Sequence, residues 1–334
     1  MVGDCFDVHT HFVPEHLPLY LGTGADVPWP SMIDAKPCHK TMLISGKSYR
    51  TLADGCWSAA RRIEEMPGMG VTHQAISAMP ELMSYWLPLG DAKLLIRYIN
   101  DQLAALIDED RSRFFGLGGV PLQDIDAAIE ELRYLVDSLH FSGVQIASHV
   151  NGVSIGVACF EPFFAEAERL GAAVVVHALR PAGIERLVGP FPPQAAAFPA
   201  DIGFAAVSMI TGGIGARCPG LRIGFSHGGG ALLMALPRIT QVWESKIPGL
   251  EAALSESPLV TARRFFYDHV VLNPSLLRLV VDTYGESQIL VGSDYPFYPA
   301  TLVDPRGDFA AAGLAAEAIA KITNDNPRRF LGLA

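Results

Sequence analysis

The amino-acid sequence predicts an α/β protein folded as a (β/α)₈ barrel, also called a TIM barrel. Eight short apolar segments alternate with segments of helical periodicity, which is typical of a parallel sheet flanked by helices. The chain has 334 residues, 50% of them hydrophobic, and this suits one large barrel with a substantial core. Residues 174–176 (VVV) and 289–292 (ILVG) are apolar without a break, as in strands buried on both faces. An open doubly wound sheet is the alternative, but no GxGxxG motif follows the first strand.

The predicted strands are strand-length apolar segments bounded by polar or turn-forming residues. In chain order they lie at residues 4–10, 71–78, 114–122, 143–149, 172–178, 221–229, 264–272 and 288–296. A stretch rich in proline and glycine, residues 13–55, follows the first strand. We therefore expect a single domain over residues 1–334, with residues 13–55 as an insertion after strand one.

The predicted helices follow the strands along the chain. They lie at residues 57–69, 92–111, 125–140, 158–170, 200–217, a segment ending near 245, 275–284, 309–322 and 326–332. The segment 92–111 is strongly amphipathic, and Asp124 precedes 125–140 as a candidate N-cap. This regular alternation is what predicts a parallel barrel.

The composition excludes several classes of function. The formal net charge of −10 argues against binding to nucleic acid or to anionic membranes, although a small acidic substrate can still meet local arginines. Five scattered cysteines form no CxxC pair, which favours a reducing cytoplasm. The N-terminal residues do not resemble a signal peptide, and the apolar runs are too short to span a membrane.

Metal-binding types of side chain occur where the predicted strands end. His9 and His11 end strand one, His177 ends strand five, His227 ends strand six and Asp294 ends strand eight. The C-terminal ends of barrel strands meet at one face, which is where active sites of this fold are built. His9 and His11 are two residues apart on an extended chain, so both imidazoles point the same way. The ordered set predicts a metal centre.

The sequence favours one divalent metal ion. A second ion in such a barrel needs a bridging group, often a carbamylated lysine at the end of strand four, and residues 143–149 (GVQIASH) contain no lysine. His227 is then free to act as general acid or base. His149, which ends strand four, either contacts substrate or lies at the surface. The ligands that we predict are His9, His11, His177 and Asp294.

Several motifs resemble those of a known family. The set HTHF (9–12), HGGG (227–230) and GSDYPF (292–297) resembles the amidohydrolase superfamily. It is most similar to the branch of 2-amino-3-carboxymuconate-6-semialdehyde decarboxylase and related metal-dependent decarboxylases. Further matching segments are GKSYR (46–50), RIEEM (62–66), VPLQD (120–124) and NPRRFL (326–331), so the resemblance covers essentially the whole chain.

The resemblance implies roles for individual residues. His227 matches the catalytic histidine. Asp294 matches a metal ligand, as do His9, His11 and His177, and we count Asp294 as catalytic too. Arg50 matches an arginine that binds a substrate carboxylate, and Phe297 matches an aromatic residue of the pocket. Arg238 matches an arginine that the family's dimer supplies across the subunit interface, which implies a homodimer. The implied metal is usually Zn²⁺, with Mn²⁺ in some relatives.

The expected activity is non-oxidative decarboxylation of a carboxylated muconate semialdehyde or an aromatic acid. Arginine is the side chain suited to a bidentate bond with a carboxylate. The family's His-Pro-Trp after strand five is replaced by His177, Ala178 and Leu179, followed by Arg180, so the pocket departs from the family there. The alternatives are a hydrolase of the same superfamily, acting on a lactone, amide or C–C bond, and a metal-binding protein without catalysis.

Overall fold

The computed structural model describes residues 3–22, 24, 27–249 and 254–333. Its central feature is a sheet of eight parallel strands. In spatial order they are β1 (Phe6–Phe12), β5 (His73–Ala78), β6 (Phe114–Gly118), β7 (Gly143–Ala147), β10 (Ala173–His177), β11 (Arg222–Phe225), β12 (Phe266–Asp268) and β13 (Ile289–Leu290). Parallel bridges from Asp7 to Val291 and from Thr10 to Tyr295 join the last strand segment to the first. The predicted barrel is therefore confirmed.

Helices cover the outside of this barrel. They are α1 (Ala59–Glu65), α2 (Leu89–Asp108), α3 (Ile125–Arg133), α4 (Glu161–Leu170), α5 (Gln194–Thr211), α6 (Ile214–Arg217), α7 (Leu232–Glu244), α8 (Pro258–Ala262), α9 (Pro274–Tyr284), α10 (Pro305–Ala311), α11 (Ala316–Ala320) and α12 (Asn326–Leu331). Asp124 caps α3 as predicted, because its side chain accepts a hydrogen bond from the backbone N–H of Ala127 at 2.9 Å. Among the described residues, no helix combines the length and apolar character needed to cross a membrane.

The stretch after β1 forms a small antiparallel sheet of its own. Its strands are β2 (Pro30–Lys36), β3 (His39–Ile44) and β4 (Lys47–Ala53), paired in that order. A two-stranded hairpin of β8 (His149–Val150) and β9 (Val153–Ser154) follows β7. The three-stranded sheet lies within residues 13–55, the predicted insertion. The hairpin begins at His149, where the sequence predicts the end of strand four.

Two predicted strand ends are loops in the structure. β11 stops at Phe225 and β13 at Leu290, so His227 and Asp294 follow the strands instead of ending them. Both residues have a positive φ, +55° for His227 and +58° for Asp294. A residue in this left-handed region cannot continue a strand, and such backbone is concentrated at functional sites.

The lower half of the barrel interior is apolar. Phe6, Val8, Val175 and Phe266 belong to one buried cluster there, together with Phe330 of α12. The larger core lies between the strands and the surrounding helices. The apolar packing fills the barrel on the side away from the strand C-termini, so the polar side chains at the opposite end rest on a rigid base.

Candidate metal centre and active-site cavity

An irregularity in β1 brings both histidines of this strand into the barrel. Asp7 pairs with Gln74 and Thr10 with Ile76, so β1 contains one more residue than its partner between these pairs. The extra residue shifts the alternation of side chains by one. Phe6 and Val8 therefore face the interior below the bulge, whereas His9 and His11 face it above. The bulge explains why Phe6 and Val8 pack in the apolar core while His9 and His11 point toward the metal-binding cluster.

The predicted ligands converge at the C-terminal end of the barrel. One donor atom from each of His9, His11, His177 and Asp294 lies within 4.8 Å of all the others. Nε2 of His9 is 3.2 Å from Nε2 of His11, and Nε2 of His11 is 3.0 Å from Oδ1 of Asp294. Three imidazole nitrogens with one carboxylate oxygen form a donor set suited to Zn²⁺ and other divalent transition metals. The structure thus contains a metal-binding site.

The hydrogen bond of His177 leaves its other ring nitrogen free to bind a metal ion. Nδ1–H of His177 donates to the carbonyl oxygen of Ala178 at 2.8 Å, and Nε2 is buried with no hydrogen-bond partner among the described residues. Burial lowers the pKa of His11 to about 4 and lowers the pKa of His177 as well. Both rings are therefore neutral at pH 7, which is the form that binds a metal ion.

Asp268, which ends β12, holds His9 in place. Nδ1–H of His9 donates to Oδ2 of Asp268 at 2.6 Å, and the carboxylate is 4% exposed. Burial opposes the charge on His9, but the Asp268 carboxylate outweighs it and raises the pKa of His9. The sequence analysis missed Asp268. Its signal was a carboxylate at the end of an apolar strand, the same position that singled out His177.

His227 lies beside the ligands in a single helical turn after β11. Its ring centroid is 5.2 Å from that of His177 and 5.6 Å from that of His9, and its buried Nε2 has no hydrogen-bond partner among the described residues. The turn packs too tightly for side chains, because a Cβ at Gly230 would lie 1.9 Å from the carbonyl oxygen of Pro199. Burial lowers the pKa of His227. The motif HGGG thus places a neutral imidazole in the site.

Three of the four metal-binding residues, His11, His177 and Asp294, line a cavity of about 710 Å³. Arg50 of β4 and Phe297 also line it. The guanidinium carbon of Arg50 lies 3.9 Å from the centroid of the Phe297 ring, and Phe297 stacks on His11 with centroids 5.0 Å apart. This stack connects the small antiparallel sheet to the metal ligands, and it directs a positive charge toward the cavity.

Three residues discussed from the sequence are not among the residues that line this cavity. Arg238 is on an exposed face of α7 and does not line the cavity. His149 is 3.3 Å from the carbonyl oxygen of Arg180 through its Nε2, and the Arg180 guanidinium stacks 3.3 Å from the centroid of the Trp86 ring. None of the three touches the predicted ligands within one chain.

Other wall residues were not identified from the sequence. Tyr49 and Glu81 contribute polar groups near Arg50. Many of the other lining residues are apolar, among them Phe198, Leu233, Val270, Val271, Leu276 and Val280. These positions come from separate loops and helices, so no local pattern in the sequence connects them.

Comparisons with known proteins agree with this arrangement. The model of the amidohydrolase family matches residues 6–333. A 2-amino-3-carboxymuconate-6-semialdehyde decarboxylase of Dictyostelium discoideum is 32% identical over 327 residues, which cover 98% of this chain and 89% of that protein. The resemblance seen in the sequence motifs is therefore confirmed.

Solved structures give the same result for the fold. The 5-carboxyvanillate decarboxylase from Sphingomonas paucimobilis matches with a TM-score of 0.73 and 25% identity, over 82% of this chain and 83% of that chain. A dihydroxybenzoic acid decarboxylase from Polaromonas, solved with bound manganese and 2-nitroresorcinol, matches with a TM-score of 0.71 and 21% identity, over 81% and 85% of the two chains. With its ligand cluster, barrel topology and near full-length family match, the chain belongs to the amidohydrolase family.

Proposed function

We propose that the protein is a metal-dependent non-oxidative decarboxylase acting on a carboxylated muconate semialdehyde or an aromatic acid. The observation that carries this proposal is the cavity itself. Three of the four metal-binding residues line it beside His227, whose Nε2 has no partner among the described residues, and Arg50 lines the same space. A site of this composition can hold an acid, polarise it and move a proton.

The residues of the cavity would bind and orient the substrate. Arg50 carries the charge that a substrate carboxylate needs, and its guanidinium is already held in place by Phe297. The apolar wall around Leu233 and Val271 accepts the flat face of a conjugated or aromatic system and excludes water. A divalent ion bound by the four ligands would supply Lewis-acid polarisation of a substrate oxygen.

His227 is the residue placed to move the proton. Loss of CO₂ breaks the bond between the carboxylate and its carbon, and the bonding electron pair stays on that carbon. The carbon must then take up one proton for the product to form. The neutral imidazole of His227 carries one N–H, lies at the cavity floor and has no competing partner at Nε2 among the described residues.

A hydrolase of the same superfamily would use the same donors, so the metal centre alone favours neither reaction. The names of the relatives favour decarboxylation: the proteins from Dictyostelium, Sphingomonas and Polaromonas are all called decarboxylases. We propose Zn²⁺ as the bound ion, on the basis of the donor set, with Mn²⁺ as the alternative that the Polaromonas structure suggests.

We further propose that the protein works as a homodimer in the cytoplasm. Arg238 is exposed on α7, where a neighbouring subunit's cavity can receive it, and Phe204 of α5 and Met234 of α7 are 74% and 78% exposed. Apolar side chains exposed to this extent are common where subunits meet. All five cysteines are free, which supports a reducing compartment. We propose that the protein binds a small acidic substrate and binds neither nucleic acid nor membranes.

The proposal is tested by a substrate panel. The purified protein, loaded with Zn²⁺ or with Mn²⁺, is incubated with ortho-hydroxybenzoates, carboxyvanillate-type acids and carboxymuconate semialdehydes, and CO₂ release is measured. We expect release from at least one class and no hydrolysis of matched lactones or amides. Hydrolysis without CO₂ release would establish the alternative, and metal analysis of the protein as purified identifies the ion.

A further inference from the structure

A β-bulge in β4 turns two neighbouring side chains toward the active-site cavity. Ser48 pairs with Leu43 and Arg50 pairs with Met42, so Tyr49 is an extra residue with no partner in β3. In a regular strand Tyr49 and Arg50 would point to opposite faces of the sheet. The bulge instead lets both of them line the cavity. Bulges of this kind are frequent beside active sites, where they redirect a side chain.

Glu81 completes a polar wall with these two residues. It lies in a single helical turn (Pro80–Met83) that follows β5, and it lines the same cavity. Tyr49 lies beside Glu81: burial raises the pKa of Tyr49, and the neighbouring Glu81 carboxylate raises it further. Burial raises the pKa of Glu81, while Tyr49, Arg180 and Arg50 act in the opposite direction. The cavity therefore contains a partly desolvated carboxyl group beside the proposed carboxylate-binding arginine.

No close cation neutralises this carboxylate. Among the residues that the structure describes, neither arginine brings a nitrogen within 4.0 Å of Glu81. Arg50 stacks on Phe297 and Arg180 stacks on Trp86, so both guanidinium groups are engaged elsewhere. An acidic group that faces a cavity for acidic substrates repels them, unless the ligand supplies a hydrogen-bond donor to it.

We propose that Glu81 forms a subsite that recognises a hydroxyl or amino group on the substrate, while Arg50 holds the substrate's carboxylate. This inference rests on the proposed function and assigns the recognition of that donor to Glu81. An acid without the donor leaves the Glu81 carboxylate desolvated and unpaired, and sites built in this way reject the incomplete ligand strongly.

The test compares hydroxybenzoates with the corresponding methoxybenzoates at each ring position. A methoxy group accepts hydrogen bonds as a hydroxyl does but cannot donate one. Dissociation constants are measured by calorimetry on the metal-loaded protein, so the result does not depend on turnover. We expect at least one hydroxy isomer to bind about tenfold or more tightly than its methoxy counterpart, since a hydrogen bond to a charged group contributes about that much.

The variants assign this preference to Glu81. In E81A we expect the ratio to fall below about threefold, and in E81Q, which keeps the size and an acceptor oxygen, to an intermediate value. E130A, an exposed change on α3, is the control and should retain the wild-type ratio. A ratio that survives in both E81A and E81Q overturns the proposal, as does equal binding of every pair by the wild type.

CO₂ release measured in parallel separates this proposal from the function on which it rests. Preferential binding of a hydroxy acid that depends on Glu81, without CO₂ release from any substrate, supports the subsite and contradicts the decarboxylase. Equal CO₂ release from hydroxy and methoxy acids supports the decarboxylase and overturns the subsite.

Discussion

His9 and Asp268 are joined by a buried hydrogen bond of 2.6 Å between Nδ1 of the imidazole and Oδ2 of the carboxylate. The other carboxylate oxygen, Oδ1, accepts hydrogen bonds from the backbone N–H groups of Gly228, at 2.9 Å, and Val270, at 3.0 Å. One side chain therefore orients a metal ligand and also anchors the loop that begins at His227. The metal centre and the proton-transfer residue share this support.

Replacement of Asp268 by asparagine should weaken metal binding. Asparagine keeps the shape but removes the charge that fixes the tautomer of His9, and changes of this kind usually cost about 10- to 100-fold in metal affinity. Competition with a fluorescent chelator measures the affinity directly. D282N, an exposed change on α9, provides the matched control. An unchanged affinity in D268N would show that His9 does not need this carboxylate.

Replacement of His227 by alanine should leave the metal bound and remove turnover. General acid–base catalysis contributes roughly 10²- to 10⁴-fold, so kcat should fall by at least that range while metal content stays the same. Metal analysis and CO₂ release on the same sample provide both measurements. If H227A kept near-normal kcat, another group would have to deliver the proton.

Replacement of Arg50 should raise KM and leave the metal content unchanged. Hydrogen bonds to a charged partner contribute about 1.5–3 kcal/mol, so R50A should raise KM by roughly 10- to 100-fold. R50K should restore only part of the loss, because lysine keeps the charge and not the planar pair of donors. R111K, at an exposed position, is the control. Equal KM values for R50A and the wild type would remove Arg50 from substrate binding.

Replacement of Gly230 by alanine should destabilise the fold. The residue has a φ of +53°, and a Cβ there would lie 1.9 Å from the carbonyl oxygen of Pro199. G313A separates the two causes, since Gly313 has a φ of +76° and nothing within 4 Å of its ideal Cβ. We expect G313A to cost about 1–2 kcal/mol from backbone strain alone, and G230A to cost more. Urea unfolding of both variants gives the two values, and equal losses would contradict the clash.

Acid stability should depend on Glu166. Its carboxylate accepts hydrogen bonds from Arg169 at 2.7 Å and Arg133 at 2.6 Å, which together lower the pKa of Glu166 from 4.5 to about 2. A lowered pKa in the folded state gives stability above pH 4.5 that is lost as the pH falls toward 2. E166Q should therefore be less stable than wild type at pH 7, and the difference should shrink below pH 4.5. Unfolding followed from pH 7 to pH 3, with E317Q as an exposed control, measures this; a difference independent of pH would contradict it.

Much of the site could be predicted because its residues follow local rules. His9 and His11 are two residues apart on one strand and so share a face, and His177 ends another strand. The barrel topology alone therefore brings them together. Asp268 follows the same rule in the structure, where β12 ends at this residue, but the predicted strand runs to residue 272 and places Asp268 in its interior. Tyr49 and Glu81 follow no such rule, because they come from a bulge and a loop turn far apart in the chain.

The amino-acid sequence by itself predicted the barrel, the metal-binding cluster and His227 beside it, since periodicity, strand positions and short motifs such as HGGG and GSDYPF are local properties of the chain. The tertiary structure decided what surrounds these residues. It placed Asp268 behind His9, stacked Arg50 on Phe297 and set Glu81 near Arg50. These contacts depend on how separate loops pack, and packing is determined only when the whole chain is folded.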